Sequence, residues 1–396
     1  MAPPLSKMKV LDLTQVMAGP FCCQLLADMG ADVTKVEPPG TGDQARRAMG
    51  FKMKGEDTAA FIAINRNKKS ITLNLKKEEG REIFYRLAGE ADVLVENYRP
   101  GVTKRLGIDY ETLKEINPRL IQASISGFGR TGPYADRAGY DLIAQGMSGV
   151  MSVTGEPNGP PTKSGVPISD LSAGLFCAFG ILAAYVAREE LGRGQYIDTS
   201  LFEGALAFSI WETAELWATG RIPQPFGSAH RLNAPYQALK TRDGYLNVGP
   251  NNERLWMRFC EVLGRKDLTE DRRFSTNEDR MNHREELVEE LESVLKERDT
   301  DEWEKLLLEE GVPVGPIYNY KQVFEDPHTQ AREMVVEMEH PVEGTVRSLG
   351  IPVKLSETPA EIRRPAPLLG EHTEETLAKV GYSKAQIADL RMREVI

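Results

Sequence analysis

Short apolar runs alternate with amphipathic segments along the first half of the chain. The apolar runs, bounded by turn residues, predict strands at residues 10–13, 31–37, 71–73, 93–95 and 120–125. The segments between them, such as those at residues 21–29 and 78–87, are predicted to be helices. Strands that alternate with helices indicate parallel βαβ units, in which helices cover both faces of one sheet. The predicted fold class is therefore α/β.

Residues beyond about 200 show a different pattern. Two strand-like runs on either side of Asp243-Gly244 predict a β-hairpin, because Asp-Gly is a typical hairpin turn. Residues 284–310 are predicted to be helical, with leucines at four-residue steps on one face and acids on the other. The Pro- and Gly-rich residues 311–317 are the expected crossing back to the first domain. These elements predict a separate, smaller α+β domain.

Elements near the C-terminus are expected to complete the first domain. They are a strand at residues 346–353 and helices at residues 374–378 and 384–391. The predicted division is a large domain whose N-terminal part covers residues 1–200, a small domain at residues 225–320, and a return segment at residues 321–396.

The longest apolar run covers residues 171–186 and is followed by charged residues. Because it is shorter than a membrane span needs, it predicts a buried helix and no membrane partner. Four cysteines show no spacing suited to zinc, and adjacent Cys22 and Cys23 are poorly placed for a structural disulfide. Together with an N-terminus that has no signal-peptide pattern, these features favour a reduced, cytoplasmic setting.

The charge of the chain argues against nucleic acid as a partner. Its 396 residues carry 49 Lys+Arg and 59 Asp+Glu, a formal net charge of −10, whereas phosphate backbones need a basic surface. The charges are unevenly spread, since residues 35–77 hold ten bases and four acids, and residues 284–310 hold twelve acids and four bases. The basic stretch suits a small anionic ligand, and the alternative is ordinary solvated surface.

Polar and turn residues follow three of the predicted strands, at residues 14–20, 96–101 and 126–129. Ligands of open parallel sheets bind at the carboxyl ends of the strands, so these loops are the expected walls of a site. Residues 127–132 also satisfy G-x-G-x-x-G, but Pro133 and the lack of a helical period after it argue against a nicotinamide dinucleotide. A glycine turn that approaches some other ligand stays open.

Asp170 stands directly ahead of the apolar run at residues 171–186. One interpretation is an ordinary cap or first-turn acid of a helix, where backbone N–H groups favour a carboxylate. The other is a nucleophile, which those N–H groups hold ionised so that it can attack a carbonyl carbon. The local spacing does not decide between them.

The five histidines do not form a recognisable metal site. No pair of them has HExxH or H-x-H spacing, and no G-x-S-x-G element stands beside a suitable base. Metal-dependent hydrolysis and hydrolysis by a serine triad are therefore poor fits, and no metal ligands are predicted.

Six segments spread along the chain resemble the class III CoA-transferases, also called the CaiB/BaiF family. They are VLDLTQVMAGP at 10–20, GADVTKVE at 30–37, VENYRPG at 95–101, GFGRTGP at 127–133, GRGQ at 192–195 and LLGEH at 368–372. The resemblance implies a Rossmann-like large domain formed from both termini, an inserted small domain, and two ring-like chains interlocked as a homodimer. It implies coenzyme A as a substrate and no further cofactor.

The same resemblance implies roles for individual residues. The nucleophilic aspartate of the family falls on Asp170. The CoA contacts of the family fall on Gln15, Val16, Ala18, Leu73, Lys76, Asn97, Tyr98 and Arg105. Pro38-Pro39 occupies the place of a family arginine that meets the CoA nucleotide, so Lys76 or Arg137 is expected to bind the phosphates instead.

Arg46, Tyr140 and His230 are the expected contacts of the acyl substrate. Arg46 and His230 are expected to grip its free carboxylate, the arginine through a bidentate pair, and the alternative for Arg46 is a surface ion pair with Asp43. The superfamily also contains α-methylacyl-CoA racemases, which need a histidine base where this chain has Tyr140. A phenol with an ordinary pKa near ~10 is a poor base at neutral pH. A racemase and a non-catalytic CoA-binding subunit are the alternative functions.

The segments GSAH at 227–230, PYQ at 235–237 and EMEHP at 337–341 look most like the succinyl-CoA:dicarboxylate branch, of the glutarate type. Formyl-CoA:oxalate enzymes carry a tryptophan after the GDxxR element and a glycine-rich lid, both absent here, so oxalate is not expected. The expected activity moves CoA from succinyl-CoA to a short dicarboxylate, through an aspartyl anhydride and an aspartyl-CoA thioester. On this interpretation, the basic residues 35–77 lie along the wall that binds CoA.

Overall fold

The computed structural model describes residues 2–396. Its strands are β1 (Lys9–Asp12), β2 (Asp32–Glu37), β3 (Lys68–Thr72), β4 (Val93–Glu96), β5 (Ile121–Ser126), β6 (Tyr196–Ser200), β7 (Gln237–Lys240), β8 (Tyr245–Val248), β9 (Val314–Pro316), β10 (Val335–His340) and β11 (Gly344–Leu349). Its helices are α1 (Ala18–Asp28), α2 (Ala59–Ala63), α3 (Glu78–Glu90), α4 (Val102–Leu106), α5 (Tyr110–Ile116), α6 (Asp141–Met147), α7 (Ile168–Leu191), α8 (Leu201–Leu206), α9 (Ile210–Thr219), α10 (Glu253–Val262), α11 (Asp267–Glu270), α12 (Asn277–Asn282), α13 (Arg284–Leu295), α14 (Thr300–Glu309), α15 (Tyr320–Glu325), α16 (Pro327–Ala331), α17 (Thr373–Lys379) and α18 (Lys384–Met392).

The chain divides into two compact units. The first unit contains residues 2–151, Lys163–Ala214 and His328–Ile396, and the second contains Ser152–Thr162 and Glu215–Pro327.

The first unit is built around one six-stranded sheet. Its strand order is β3-β2-β1-β4-β5-β6 and every neighbouring pair is parallel, which confirms the predicted α/β class. The order reverses between β1 and β4, and Val10 of β1 is opposite both Val33 and Val93. In open parallel sheets a crevice forms at such a reversal, outside the carboxyl ends of the strands. The fold therefore places a ligand site after β1 and β4.

Helices cover both faces of this sheet. On one face, Val10 and Ile121 belong to a core that includes Ile181 of α7 and residues of α1. On the other face, Leu94 belongs to a core with residues of α3 and with Leu390 of α18. The C-terminal helices therefore complete the core of the first unit.

Helix α7 is longer and less buried than the apolar pattern predicts. Its 24 residues are long and apolar enough to cross a membrane by length and composition alone. Its inner face packs on α1 so closely that a Cβ on Gly174 would lie 2.6 Å from the Ala18 carbonyl oxygen. Its outer face is open, with Phe179 69% and Val186 72% exposed. The prediction of a buried helix is therefore wrong for this face.

The second unit has a core of its own. Strands β7, β8 and β9 form an antiparallel sheet in that order, and β7 and β8 are the hairpin predicted at Asp243-Gly244. Residues 284–310 form two helices, α13 and α14, rather than one, and the leucine face of α13 is buried. The expected crossing at residues 311–317 is wrong, because these residues contain β9, the third strand of the sheet.

Candidate active site

A cavity of about 570 Å³ lies in the first unit at the carboxyl ends of β1, β4 and β5. Residues from the loops after these three strands line it, together with residues 135–140 and the first turn of α7. The three loops singled out as the walls of a site thus meet at one cavity, at the point where the strand order reverses.

The loop after β1 contains a strained residue, Val16. Its φ of 72° is left-handed, which costs a β-branched residue on the order of 1–3 kcal/mol. The Gln15 N–H donates to Asn97 Oδ1 at 2.9 Å, and Asn97 Nδ2 donates back to the Gln15 carbonyl at 2.8 Å. The Val16 N–H donates to Asp43 Oδ1 at 3.0 Å. These bonds hold the loop in the conformation that faces the cavity.

A buried charge network is bonded to the same loop. The Lys35 ammonium lies 2.9 Å from Asp43 Oδ2 and donates to the Thr14 carbonyl at 2.6 Å. Lys68 donates to Asp12 Oδ2 at 3.0 Å. Burial alone would raise the pKa of Asp12, but the charges of Lys35 and Lys68 outweigh burial and hold it below its usual range. These lysines therefore stabilise the loop and are not available to a ligand.

Arg46 does not line the cavity, contrary to expectation. Its Nε donates to Glu37 Oε1 at 2.8 Å, and its Nη1 donates to Asp57 Oδ1 at 2.9 Å. The guanidinium also lies over the Phe61 ring, 3.7 Å from the ring centroid. Because the Arg46 guanidinium is already paired with two carboxylates, it is not available to bind a substrate carboxylate. Within residues 2–396 it also forms no side-chain ion pair with Asp43, the alternative predicted from the sequence.

Other bases of residues 35–77 are, like Arg46, buried in ion pairs with carboxylates. Arg66 pairs with Asp28 at 2.7 Å, and both side chains are buried. With Lys35 and Lys68 also buried in ion pairs, the stretch is not a continuous basic wall. The expectation that it lines the CoA site is wrong for these four bases.

Arg130 holds the loop after β4. Its Nη2 donates to Glu96 Oε1 at 3.0 Å and to the Tyr98 carbonyl at 2.8 Å. Asn97, Tyr98 and Arg99 of this loop line the cavity. Burial is the main reason that the pKa of Tyr98 rises to about 12, so the phenol stays protonated and neutral.

The glycine-rich loop after β5 touches a second backbone segment. A Cβ on Gly139 would lie 2.5 Å from the Gly127 Cα, so only glycine permits this approach. The contact brings residues 135–140 to the cavity. No helix begins at residues 127–132, so the G-x-G-x-x-G pattern is not a dinucleotide-binding turn, as predicted.

Asp170 lies in the first turn of α7 and lines the cavity. Within residues 2–396 its carboxylate accepts no hydrogen bond. Burial raises its pKa to about 7, and the nearby Asp141 carboxylate adds to the increase. A partly desolvated carboxylate without partners can attack an electrophile when it is ionised.

Most of the predicted CoA and substrate residues meet at this cavity. Those that line it are Gln15, Val16, Ala18, Asn97, Tyr98, Arg137, Tyr140 and Asp170. Leu73 does not, because it is buried in the core under α3, and neither do Lys76 and Arg105. Of the two bases named for the phosphates, only Arg137 is therefore at the cavity.

His230 belongs to the second unit. Its ring packs against Tyr236 with the centroids 4.9 Å apart, and its Nδ1 accepts a hydrogen bond from the Leu232 N–H at 3.1 Å. Tyr236 lines a separate cavity of about 510 Å³ within that unit.

Sequence reasoning missed Arg99 as a cavity residue. Arg99 and Arg137 both line the cavity, and neither forms an ion pair within residues 2–396. The signal was present, because Arg99 lies in the VENYRPG segment that follows a predicted strand. These two arginines are the cavity cations that are free to bind an anion.

A parallel sheet with a cavity at its reversal point, two arginines without ion pairs in residues 2–396 and a partly desolvated carboxylate form an α/β site suited to an anionic ligand. The chain belongs to CoA-transferase family III, whose family model matches residues 5–373. The resemblance noted in the sequence is thereby confirmed.

Individual members of the family are similar to this chain over most of its length. The chain is 39% identical over 394 residues to the succinyl-CoA:glutarate CoA-transferase of Homo sapiens, covering 99% of this chain and 90% of that one. It is 42% identical over 371 residues to an acetyl-CoA:oxalate CoA-transferase of Acetobacter aceti, covering 93% of each. A crystal structure of a CaiB/BaiF family protein from Brucella suis has a TM-score of 0.87 at 40% identity, covering 96% of this chain and 100% of that one.

Proposed function

We propose that this CoA-transferase uses Asp170 as its nucleophile. The observation that carries the proposal is the position of Asp170, a partly desolvated carboxylate without hydrogen-bond partners at the cavity formed by the strand-end loops. Carboxylates are weak nucleophiles in water, and removal of water together with a fixed position increases their reactivity.

The reaction proceeds by exchange of acyl bonds. An Asp170 oxygen attacks the thioester carbon of the donor, and CoA leaves as the thiolate, which gives a mixed anhydride. The thiolate then attacks the aspartyl carbonyl, releasing the donor acid and leaving an aspartyl-CoA thioester. The acceptor carboxylate attacks that thioester, and the released thiolate takes the acceptor acyl group from the new anhydride. Asp170 ends as a free carboxylate, and no ATP or further cofactor is needed.

The proposed donor is succinyl-CoA and the proposed acceptor is a short dicarboxylate. Support comes from relatives named for succinyl-CoA together with glutarate, D-citramalate or mesaconate. The relative named for acetyl-CoA and oxalate adds oxalate to the acceptors to be tested, although the missing tryptophan and lid argue against it. Arg99 and Arg137 are the proposed partners of the CoA phosphates, in place of the family arginine at Pro38-Pro39.

A racemase is the weaker alternative. The position of a racemase base is occupied by Tyr140, which is 64% exposed at the cavity. No histidine lines the cavity in residues 2–396. Cytoplasmic location stays a prediction.

The test is intact mass of the protein after mixing with succinyl-CoA alone. A CoA or succinyl adduct on the peptide that contains Asp170 is expected in the wild type and not in Asp170→Asn, which should also lose CoA exchange between two acids. Exchange retained in Asp170→Asn would refute the assigned role. Binding without an adduct would indicate a non-catalytic subunit, and deuterium entry at the α-carbon of a branched acyl-CoA would indicate a racemase.

A further inference from the structure

The helix that carries Asp170 has no cap of its own. The residue before it, Pro167, offers no side-chain acceptor, although the first N–H groups of a helix need partners outside it. The Ser169 N–H donates instead to Asp141 Oδ1 at 3.0 Å. Asp141 is the first residue of α6, so a different helix supplies the cap for α7.

Asp141 is itself held by a buried amide. Gln145, one turn further along α6, donates from Nε2 to Asp141 Oδ2 at 2.7 Å. Its Oε1 accepts from the Ser164 N–H at 2.9 Å, and the Gln145 side chain is fully buried. The chain of bonds therefore ties residues 164 and 169, on either side of the turn that enters α7, to one face of α6.

The two backbone groups at the ends of this hydrogen-bond series determine which atom donates at every step. Backbone N–H groups at Ser164 and Ser169 can only donate, so the side chains between them must accept at both ends. A glutamine can pass the bond on, because it has one donor and one acceptor group. Position 141 must then accept at both of its terminal atoms, which a carboxylate does and an amide, with one oxygen and one NH₂ group, does not.

We propose that Asp141 is a positioning residue for Asp170, holding the first turn of α7 through a cap that Gln145 orients. The proposal rests on the proposed role of Asp170. Asp141 does not line the cavity, so it acts through the helix and through its charge rather than by contact with substrate.

The experiment exchanges the carboxylate of Asp141 and the amide of Gln145. In Asp141→Asn, an NH₂ group must face another donor in every arrangement, and in Gln145→Glu two carboxylates face each other. In the double variant Asp141→Asn with Gln145→Glu, the amide now at position 141 accepts from the Ser169 N–H and donates to the carboxylate now at position 145. That carboxylate also accepts from the Ser164 N–H. The double variant therefore restores every hydrogen bond and moves the negative charge from position 141 to position 145.

The readout is the rate of Asp170 adduct formation from succinyl-CoA in a single turnover. Each single variant is expected to slow it roughly 10- to 100-fold, the effect of one unsatisfied buried polar group. The double variant is expected to recover to within about threefold, with the dissociation constant of CoA unchanged throughout. Single variants that react at the wild-type rate, or a double variant no better than the singles, would overturn the proposal.

A pH profile separates positioning from mere folding. The Asp141 charge contributes to the raised pKa of Asp170, so its removal in Asp141→Asn should move the midpoint of the rate profile to lower pH. An unmoved midpoint would count against the proposal. If a single variant is too unstable to assay, the double variant must regain the wild-type melting temperature, and failure to do so has the same consequence.

Two further variants complete the design. Asp389→Asn, on the exposed part of α18, is the matched control for the amide substitution and should react at the wild-type rate. Asp170→Asn distinguishes the two proposals. If Asp170→Asn still forms an adduct, the proposed function is refuted. If Asp170→Asn forms no adduct and the Asp141 and Gln145 variants react at the wild-type rate, only the positioning role is refuted.

Discussion

Asp170 is subject to opposing effects. The N-terminus of α7 favours its ionised form, whereas burial, and to a lesser extent Asp141, favours the protonated form. Burial and Asp141 prevail and raise the pKa to about 7. Only the ionised form is a nucleophile in the proposed mechanism, so adduct formation should become faster as pH rises through this range.

The same raised pKa gives a prediction about stability. The folded chain holds the Asp170 proton more tightly than the unfolded chain, whose aspartate has its ordinary pKa of 3.8. The stabilisation from this proton is fully present below about pH 4 and is lost as pH rises to about 7. Asp170→Asn does not titrate, so we expect its free energy of unfolding relative to the wild type to increase by about 4 kcal/mol between pH 4 and pH 8. Urea unfolding at pH 4 and pH 8 measures the change in this difference.

Asp389→Asn, at an exposed position of α18, serves again as the control for the amide substitution. An Asp170→Asn chain that gains nothing on going from pH 4 to pH 8 would contradict the raised pKa.

At the residue scale, sequence reasoning identified Asp170 but could not separate a cap from a nucleophile. The structure shows that Asp170 is a first-turn acid of α7 and does not cap it, because the cap comes from Asp141, 28 residues before the Ser169 that it caps, which no local spacing reveals. Its role as the nucleophile remains a proposal. For Arg46, sequence reasoning predicted a substrate contact and was wrong. It counts as a free base in the sequence, but Glu37 and Asp57 are brought to it by the fold.

At the scale of elements, the loop after β1 has a strained backbone that hydrogen bonds and an ion pair hold in place. The left-handed Val16 is held by Asp43, and Asp43 is in turn paired with the buried Lys35. Strained backbone persists only where its surroundings hold it. The position of the Gln15–Val16 segment at the cavity therefore depends on Asp43.

We predict that Asp43→Asn raises KM for acyl-CoA roughly 10-fold, the effect of weakening one charge-assisted hydrogen bond, with a smaller change in kcat. Glycine adopts a φ of 72° without strain, so in a Val16→Gly background the loop needs less support. The same Asp43 substitution should then raise KM only about threefold. Steady-state kinetics of the four chains form a double-mutant cycle.

The exposed Asp32, which pairs with Lys69, provides a control for the loss of an aspartate charge in this region. Its change to Asn should leave KM unaltered. Additive effects of Asp43→Asn and Val16→Gly would show that Asp43 does not act through the strained backbone.

Elements with strong local signals were predicted and others were not. Five of the six sheet strands are predicted from apolar runs, which mark strands buried on both faces, although buried polar residues such as Lys35 of β2 and Lys68 of β3 interrupt these strands. β6 is not among the predicted strands, since its sequence YIDTS lies at the sheet edge and is only partly buried. The Pro and Gly residues around β9 predict a loop, although its pairing with β8 makes it a strand.

At the scale of the whole molecule, the first unit exposes large apolar side chains. Phe179 and Val186 of α7 are each more than half exposed, and so are Ile210 and Trp211 of α9. Exposed apolar side chains of this size mark protein–protein or membrane interaction sites when they lie in one patch. We propose that a second copy of this chain covers these residues, in the homodimer that the family resemblance implies.

We predict that the wild type has twice the chain mass in analytical ultracentrifugation. Phe179→Glu combined with Val186→Glu should shift it toward the monomer, because burying two charges without partners costs several kcal/mol. Met392→Glu, at an exposed methionine of α18, introduces the same charge elsewhere and should not change the mass. A wild type that sediments as a monomer would contradict the proposal.

By itself, the sequence determined the α/β class, the family and the loops that form the site. It could do so because strand periodicity, turn residues and motifs are local properties of the chain. Only the tertiary structure decided which charged groups are free, because burial and ion pairing join residues that are distant in sequence. It showed that Arg99 and Arg137 remain for an anion while Lys35, Arg46 and Lys68 do not. It also showed that Asp170 caps nothing, because Asp141 of α6 supplies the cap of its helix.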